Sequence, residues 1–526
     1  MSESQGTRFP GATSILALVS LPIFIGALDL TVVSAVLPHV IYDLEIPLQS
    51  GLDNASWIVS GYLLTYAIAM AFMGRLSDIF GRRRIFLLAL MIFALGSYLV
   101  AVADGWPTDL ALRGYYLVAS GRPDSSMMAL TMIIVARMIQ AFGAGAMVPV
   151  GMALVGDMYP MGARAKPLGV IAAIDTAGWV VGHLYGGIVV RFLDWRMIFW
   201  LNLPVCLIAF GLIAVALRKL PQERRADRMD WLGALLISMG LTALTLGLGG
   251  SGESGTTLMA VGTEIGHGIR WPLLILSLAF FAIFVLQQAR SNHALMPIGL
   301  FRRRNLVDAG FANLLLGFSL FVAIVSVPLF INTLMAETIE QGAWDSGWML
   351  SALTVPMALA AIPSGWLTDR LGYRWPSISG MILAVGGFTL MLQWNADSSY
   401  AVMASHLVIT GIGFGLTITP IAAAVVNAAD QAYRGSASAL VILFRLVGMT
   451  IGVSSMTTYG LQRATRLSAA LLQIGSSYEE MMRVGIQVAE RVIHEMFLIA
   501  AAVCLLSLPQ LIRLQRMKEA RRRTDG

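Results

Sequence analysis

Four charged residues stand inside long apolar runs: Asp29, Arg137, Asp175 and Arg445. A charge at the centre of a bilayer costs roughly 2.5–3.5 kcal/mol even on insertion scales, so such a residue faces a partner or a wet cavity. The chemistry these types offer is proton exchange. A carboxylate loses its charge on protonation, whereas a guanidinium keeps its own. Asp29 and Asp175 are therefore the expected protonation sites. An acid from one part of the chain would pair with Arg445 from another across a central cavity, and protonation would weaken that pair. Arg137 would tune a nearby acid. For each acid a static buried ion pair is the alternative. Asp175 precedes Gly182 by seven residues and shares its helix face with a stripe, Gly178, Gly182 and Gly186. Small residues at that spacing let two backbones approach closely. Ordinary packing without mechanistic weight is the plainer reading of the stripe.

Other chemistries find no residues to carry them. The six histidines are dispersed, no H-E-x-x-H occurs, and the two cysteines, Cys206 and Cys504, lie inside apolar runs. No metal site and no catalytic centre is expected. An integral-membrane lipid-modifying enzyme would need clustered His, Asp or Cys. A nucleotide loop needs G-x-x-x-x-G-K-[ST], and none of Lys166, Lys219 and Lys518 follows a glycine. No cofactor is expected either, and a proton gradient is a sufficient energy source, since a membrane potential supplies about 2.3 kcal/mol per charge per 100 mV.

These residues need elements that hold them at membrane depth. Of the 526 residues 57% are hydrophobic and 13% charged, against about 25% charged in a soluble domain. Apolar runs long enough to span a bilayer recur from Ile15 to Leu514, and in lipid they must be helices because every backbone polar group has to be satisfied internally. Fourteen spans are expected, near 14–41, 55–76, 84–104, 127–153, 165–190, 196–217, 230–250, 271–290, 306–333, 344–367, 375–395, 399–427, 435–466 and 488–514. The first is too long for a signal-peptide core and is read as a retained span. Arginine clusters at 82–84, 224–225, 302–304 and 521–523 fall on one side, which places both termini in the cytoplasm by the positive-inside rule. Orientation accounts for those clusters without nucleic acid as a partner.

A repeat divides the chain. Gly74-Arg75-Leu76-Ser77-Asp78-Ile79-Phe80-Gly81-Arg82-Arg83 follows the second span, and Gly365-Trp366-Leu367-Thr368-Asp369-Arg370-Leu371-Gly372-Tyr373-Arg374 follows the tenth. Gly74, Asp78, Gly81 and Arg82, with Gly365, Asp369 and Gly372, form candidate gating loops: the glycines permit close approach and a tight turn, and the acid would cap a helix or pair with Arg82. Plain loop stabilisation is the alternative. The expected domains are a six-helix bundle over 1–217, two linker helices with flanking loops over 218–305, and a second six-helix bundle over 306–526. The latter carries an outer extension at about 463–491, whose apolar residues fit either a helix lying on the membrane surface or a ramp for lipid or a partner.

The loop Gly74 to Arg83 resembles the signature of the major facilitator superfamily. Arg137 with Gly143 and Gly145 resembles its fourth-helix pattern. Gly178-Trp179-Val180-Val181-Gly182-His183-Leu184-Tyr185-Gly186-Gly187 resembles the fifth-helix antiporter motif, with His183 where that motif has proline. Trp195, Arg196, Phe199, Asn202 and Pro204 resemble the entry to the sixth helix. With fourteen spans, the chain is similar to the drug:proton antiporter branch. That implies an all-α membrane protein of the major facilitator fold, monomeric, in the bacterial cytoplasmic membrane. The glycines Gly178, Gly182, Gly186 and Gly187 would then favour antiport over leakage. Within the branch, Gly26-Ala27-Leu28-Asp29, Arg445 with Gly448-Met449 and Ile451-Gly452-Val453, and the outer extension resemble the mycobacterial lipid and drug exporters that work beside a lipid-binding lipoprotein. That implies a lipidic or amphipathic cargo drawn from membrane lipids or drugs, moved outward by alternating access, and an external lipoprotein as partner. Import of a small amphipathic solute is the alternative direction, and His183 leaves a proton relay or helix packing open.

Overall fold

The computed structural model describes residues 11–45, 57–118, 124–160, 163–219, 229–247, 270–291, 294–295, 299, 303–336, 339–429, 433–471 and 477–514. The clusters Arg224-Arg225 and Arg521-Arg522-Arg523, and Arg302, lie outside these residues, as do the surroundings of His39, His183 and Gly187. No strand occurs among the described residues. The helices are α1 (Ala12–Asp43), α2 (Trp57–Phe80), α3 (Arg82–Ala101), α4 (Trp106–Val118), α5 (Ser125–Met158), α6 (Ala165–Phe192), α7 (Arg196–Ala216), α8 (Trp231–Gly247), α9 (Trp271–Arg290), α10 (Arg304–Phe330), α11 (Ile339–Leu371), α12 (Arg374–Met391), α13 (Tyr400–Ala428), α14 (Arg434–Leu471) and α15 (Tyr478–Arg513).

A helix coincides with each of the fourteen expected apolar segments, and the short α4 fills the connection between the third and fourth. Among the described residues ten helices are long and apolar enough to cross a membrane, and α8 and residues 437–452 of α14 are shorter apolar helical stretches. The chain is a multi-pass membrane protein. Asp124, Ser399 and Ser477 cap α5, α13 and α15 by accepting backbone N–H groups of the first turn, which soluble-protein rules also predict.

Packing repeats along the chain. In the first set α1 lies on α6 and α7, α2 on α5, and α3 on α5 and α7. In the second α10 lies on α14 and α15, α11 on α13, and α12 on α13 and α15. The two sets meet reciprocally, α2 on α14 and α6 on α11. Both signature loops turn through a left-handed glycine at the same motif position, Gly81 at φ 96° and Gly372 at φ 83°. Close glycine contacts repeat as well. A Cβ on Gly143 would strike the α3 backbone at Phe93, and one on Gly413 the α12 backbone at Gly380 and Ala384. Gly178 and Gly182 sit against the carbonyls of Phe24 and Leu28 on α1, and Gly448 and Gly452 against those of Leu314 and Phe318 on α10. The expected tight stripe is thus a contact between α6 and α1.

Helices α8 and α9 form a hairpin that packs on α2 through α8. Only 17% of the apolar window of α9 is buried, so its surface is left to lipid. Helix α14 runs for 38 residues and α15 for 36. At 1.5 Å per residue each exceeds the roughly 30 Å of a hydrocarbon core, so both project beyond it.

Candidate functional site

Asp29 lies in the middle of α1 and is fully buried. Arg137 of α5, equally buried, reaches it twice: Nη1 donates to its carboxylate, and Nη2 to its backbone carbonyl at 3.0 Å. The Gln140 amide, one turn further along α5, donates to Asp29 Oδ1 at 3.0 Å and to Ser97 Oγ at 2.7 Å, while its Oε1 accepts from Arg137 at 2.7 Å. Asn202 of α7 donates to the same Oδ1 at 3.3 Å. The guanidinium stacks over Tyr62, 4.1 Å from the ring centroid. Side chains of α5 and α7 thereby converge on the α1 carboxylate, with Ser97 of α3 behind them, and it accepts more bonds than a lone ion pair supplies. The sequence singled out Asp29 and Arg137 as site residues; it marked Asn202 only as part of the entry to the sixth helix, and it did not mark Gln140 or Ser97 as site residues. Uncharged amides inside apolar spans were the available signal for Gln140 and Asn202; a serine at membrane depth gives almost none.

Asp175 of α6 is paired otherwise. Its Oδ2 accepts from Arg445 Nη2 of α14 at 3.1 Å, so the bond joins the first set of helices to the second. Both residues are buried, at 3% and 7% exposure, yet Asp175 Oδ1 and Arg445 Nε have no hydrogen-bond partner among the described residues. Trp179, one turn along α6, places its ring 5.6 Å from the same guanidinium. Asp175 belongs by spacing to the glycine stripe, but it faces α14 where the glycines face α1.

The signature loops lie at one end of the molecule. In the first, Arg82 donates to Asp78, to Ser77 Oγ at 2.9 Å and to Asp157 at the end of α5 at 3.1 Å. In the second, Asp369 accepts from the backbone N–H groups of Ala165 and Lys166, at the N-terminus of α6. That N-terminus carries unpaired donors and the positive pole of the helix dipole. A Cβ on Gly365 would stand 2.7 Å from Lys166 Cα, and one on Gly169 2.6 Å from the Ala361 carbonyl. Arg75 lies over the Tyr433 ring at 4.8 Å. These contacts close the two sets of helices against each other at the end where the loops lie, with Asp175–Arg445 deeper along the same seam. Gly74 is buried within α2 and Gly186 within α6. No group of three or more metal-ligating side chains occurs among the described residues.

The family model described as Major Facilitator Superfamily matches residues 19–453 and 309–524. A triacylglyceride transporter of Mycobacterium tuberculosis is 30% identical over 504 residues, covering 92% of this chain and 91% of its own. One from Mycolicibacterium smegmatis is 29% identical over 509 residues, covering 93% and 84%. Among solved structures, a proton:xylose symporter of the same superfamily superposes with a TM-score of 0.59 at 15% identity, covering 95% of this chain and 96% of its own. A human organic anion transporter does so at 0.59 and 15%, covering 94% and 100%. At such identity the two structures speak for the fold alone.

Proposed function

The chain belongs to the major facilitator superfamily of secondary transporters, and from that premise we propose that it exports lipidic or amphipathic molecules in exchange for protons. The observation that carries the reading is the Asp175–Arg445 pair, a titratable bond between two sets of helices that must part for alternating access. In the arrangement described, the loop-bearing end is closed and the pair is formed. A proton reaching Asp175 from the opposite side would add to the carboxylate, whose Oδ1 has no described partner. Neutral Asp175 no longer holds Arg445, the loop-bearing end opens, and the proton leaves there as cargo enters. Re-ionised Asp175 recaptures Arg445, the end closes, and the cargo is presented to the other side. One proton moves inward for each outward passage.

The rest of the reading follows from this cycle. Fourteen spans would form two six-helix bundles, over 1–217 and 306–526, with α8 and α9 as linker helices in 218–305. Both termini and the loop-bearing end would be cytoplasmic, in the inner membrane of a bacterium. Asp29, held by Arg137, would be the second protonation site, and the Asp369 cap on α6 with the Asp78–Arg82 loop would be the gate. The names of the mycobacterial relatives support lipid as cargo. The outer ends of α14 and α15, near 463–491, would receive that lipid or a lipid-binding lipoprotein partner. Multidrug efflux by the same cycle is the second cargo class.

The test is a proteoliposome assay with an internal pH dye, supplied in parallel with triolein and an ethidium-like cation. A cargo-dependent proton flux that Asp175→Asn removes, in a protein that remains monodisperse, is the expected result. Cargo transfer that ignores the proton gradient in the unmodified protein would overturn the coupling. Flux in the opposite sense would make the protein an importer.

A further inference from the structure

A cavity of about 380 Å³ opens beside the N-terminal half of α15, at the end of the molecule opposite the signature loops. Gln487, Glu490, Arg491, His494, Glu495 and Leu498 form one helical stripe along α15, and Leu392 closes the cavity from the end of α12. Its depth follows from the sequence. Residues 496–512 contain no charged side chain, and at 1.5 Å per residue these seventeen residues span about 26 Å, close to a hydrocarbon core. The charged half of the cavity therefore sits where the apolar run begins, at headgroup level. Leu498, 56% exposed, lies one turn inside it and faces outward.

The polar groups of the cavity are not equivalent. Glu495 is committed: it accepts from Arg463 at 2.9 Å and from the Tyr459 hydroxyl at 2.7 Å, and Arg491 lies 3.5 Å from it. His494 is fixed by the bond from Nε2 to the Trp394 carbonyl at 2.8 Å, so Nε2 carries the hydrogen, because a carbonyl only accepts. Glu490 and Gln487 have no ion pair or hydrogen bond among the described residues. A free carboxylate and a free amide thus line one side, and a guanidinium shared with Glu495, 64% exposed, lines the other.

We propose that this cavity binds the headgroup of a phosphoethanolamine lipid from the membrane leaflet at that end. The ammonium donates to Glu490 and the Gln487 amide oxygen, the phosphate meets Arg491, and an acyl chain descends along Leu498. Two carboxylates against one arginine in the lining disfavour a purely anionic headgroup. A choline headgroup has no N–H to give Glu490, and no aromatic side chain lines the cavity to receive its methyl groups. The proposal refines the lipid-receiving role given to the outer ends of α14 and α15; the site is separate from the Asp175–Arg445 seam, so its failure would leave the proton-exchange reading untouched.

The full-length protein is reconstituted in vesicles containing equal amounts of dioleoyl phosphatidylethanolamine, phosphatidylcholine and phosphatidylglycerol, and its retained lipids are counted by native mass spectrometry. Phosphatidylethanolamine is expected to be enriched at least fivefold over the other two. Glu490→Gln should abolish the enrichment, and Glu490→Lys should turn it towards phosphatidylglycerol. Asp109→Asn, on the exposed first turn of α4, serves as the folded control and should change nothing. Equal retention of the three lipids, or enrichment indifferent to both Glu490 variants, would overturn the proposal. Displacement by equimolar soluble glycerophosphoethanolamine would overturn the lipid as ligand and leave a site for the free headgroup.

Discussion

The two sets of six helices share a pattern of packing and differ in what they bury. Gly143 and Gly145 of α5 meet α3 and α2, and Gly413 and Gly415 of α13 meet α12 and α11. Counting back six residues from the first glycine of each pair gives Arg137 in one set and Leu407 in the other; counting back three gives Gln140 and Thr410. The crossing glycine of the third helix abuts the latter pair in both sets, Gly96 on Gln140 and Gly387 on Thr410. The next residue is Ser97 in the first set and Phe388 in the second. Asp29, following the Leu28 carbonyl that Gly182 meets, corresponds to Ser319, following Phe318, which Gly452 meets. Where the first set buries a charged network, the second buries Phe388 with Phe414 and Phe497. Close glycine contacts fix the frame, and the frame accepts either filling.

The same count places Asp175 three residues before Gly178 and Arg445 three before Gly448. The pair that joins the two sets is therefore made from one position of the repeat, acidic in one copy and basic in the other. Two identical residues there would meet as like charges or as uncharged neighbours; opposite ones give a neutral pair that a single proton can unmake. The Asp29 network lies within one set and holds its carboxylate from α5 and α7. The Asp175 bond is single and leaves polar atoms on both partners unused. The first acid is held by several bonds and the second by one.

Reversing one charge at the seam gives the largest expected effect. Asp175→Arg places two buried guanidinium groups together and should cost about 3 kcal/mol or more. That corresponds to a factor of about a hundred or more against the closed seam. The exchange Asp175→Arg with Arg445→Asp should restore closure, because the two positions are equivalent. Labelling of a cysteine placed at Ala361, buried in the closed seam, by a membrane-impermeant maleimide reads the seam directly. An exchange variant as open as the single reversal would show that the positions are not interchangeable.

Next in size is a transplant of the second set's filling into the first. Arg137→Leu strands the Asp29 carboxylate and should cost about 3–5 kcal/mol, read as a lower unfolding temperature in detergent. Adding Asp29→Ser removes the stranded charge and should recover most of the loss. No recovery would mean that the network, and not the frame alone, determines how the first set packs. Leu407→Met in the second set exchanges similar volumes and should cost less than about 1.5 kcal/mol.

The frame itself is tested by its glycines. Gly178→Ala and Gly448→Ala each drive a Cβ onto a carbonyl of the facing helix, and each should cost about 1–3 kcal/mol. Equal losses support an equivalent frame, and a loss at only one position would break that equivalence. This frame was legible in the sequence. The loops at Gly74 and Gly365, the stripe from Gly178 and the acids at depth all carry local signals of spacing or composition. The partners were less so. That Arg445 meets Asp175 and Arg137 meets Asp29 follows from crossing angles between helices over a hundred residues apart, which no local pattern encodes. Gln140 and Ser97 were missed, and Asn202 entered only through the sixth-helix motif, for a related reason: amides and hydroxyls at depth are inexpensive enough to occur without a role.

The smallest effect separates the far ends of the two sets. In the first, Asp43 at the end of α1 meets Arg196 at 2.7 Å and accepts from the Trp195 indole at 3.3 Å. Partial burial pushes its carboxyl upward, but the hydrogen bonds from Arg196 and Trp195 outweigh it and hold the group below the ordinary carboxylate range. The stabilisation is thus complete above the unfolded value near 4 and is lost as pH falls through the lowered one. The Asp43 side chain is 43% exposed, so solvent screening leaves the pair only a few tenths of a kcal/mol. The equivalent region of the second set is tied by Trp394, whose indole donates to His406 Nδ1 at 3.1 Å and whose carbonyl accepts from His494. No carboxylate takes part in that tie. Amide hydrogen exchange at the outer ends of α1 and α7 should therefore quicken between pH 5 and 3 and lose that dependence in Asp43→Asn. A pH dependence that survives the substitution would assign the response to Asp104 or Asp194, the other acids on Arg196.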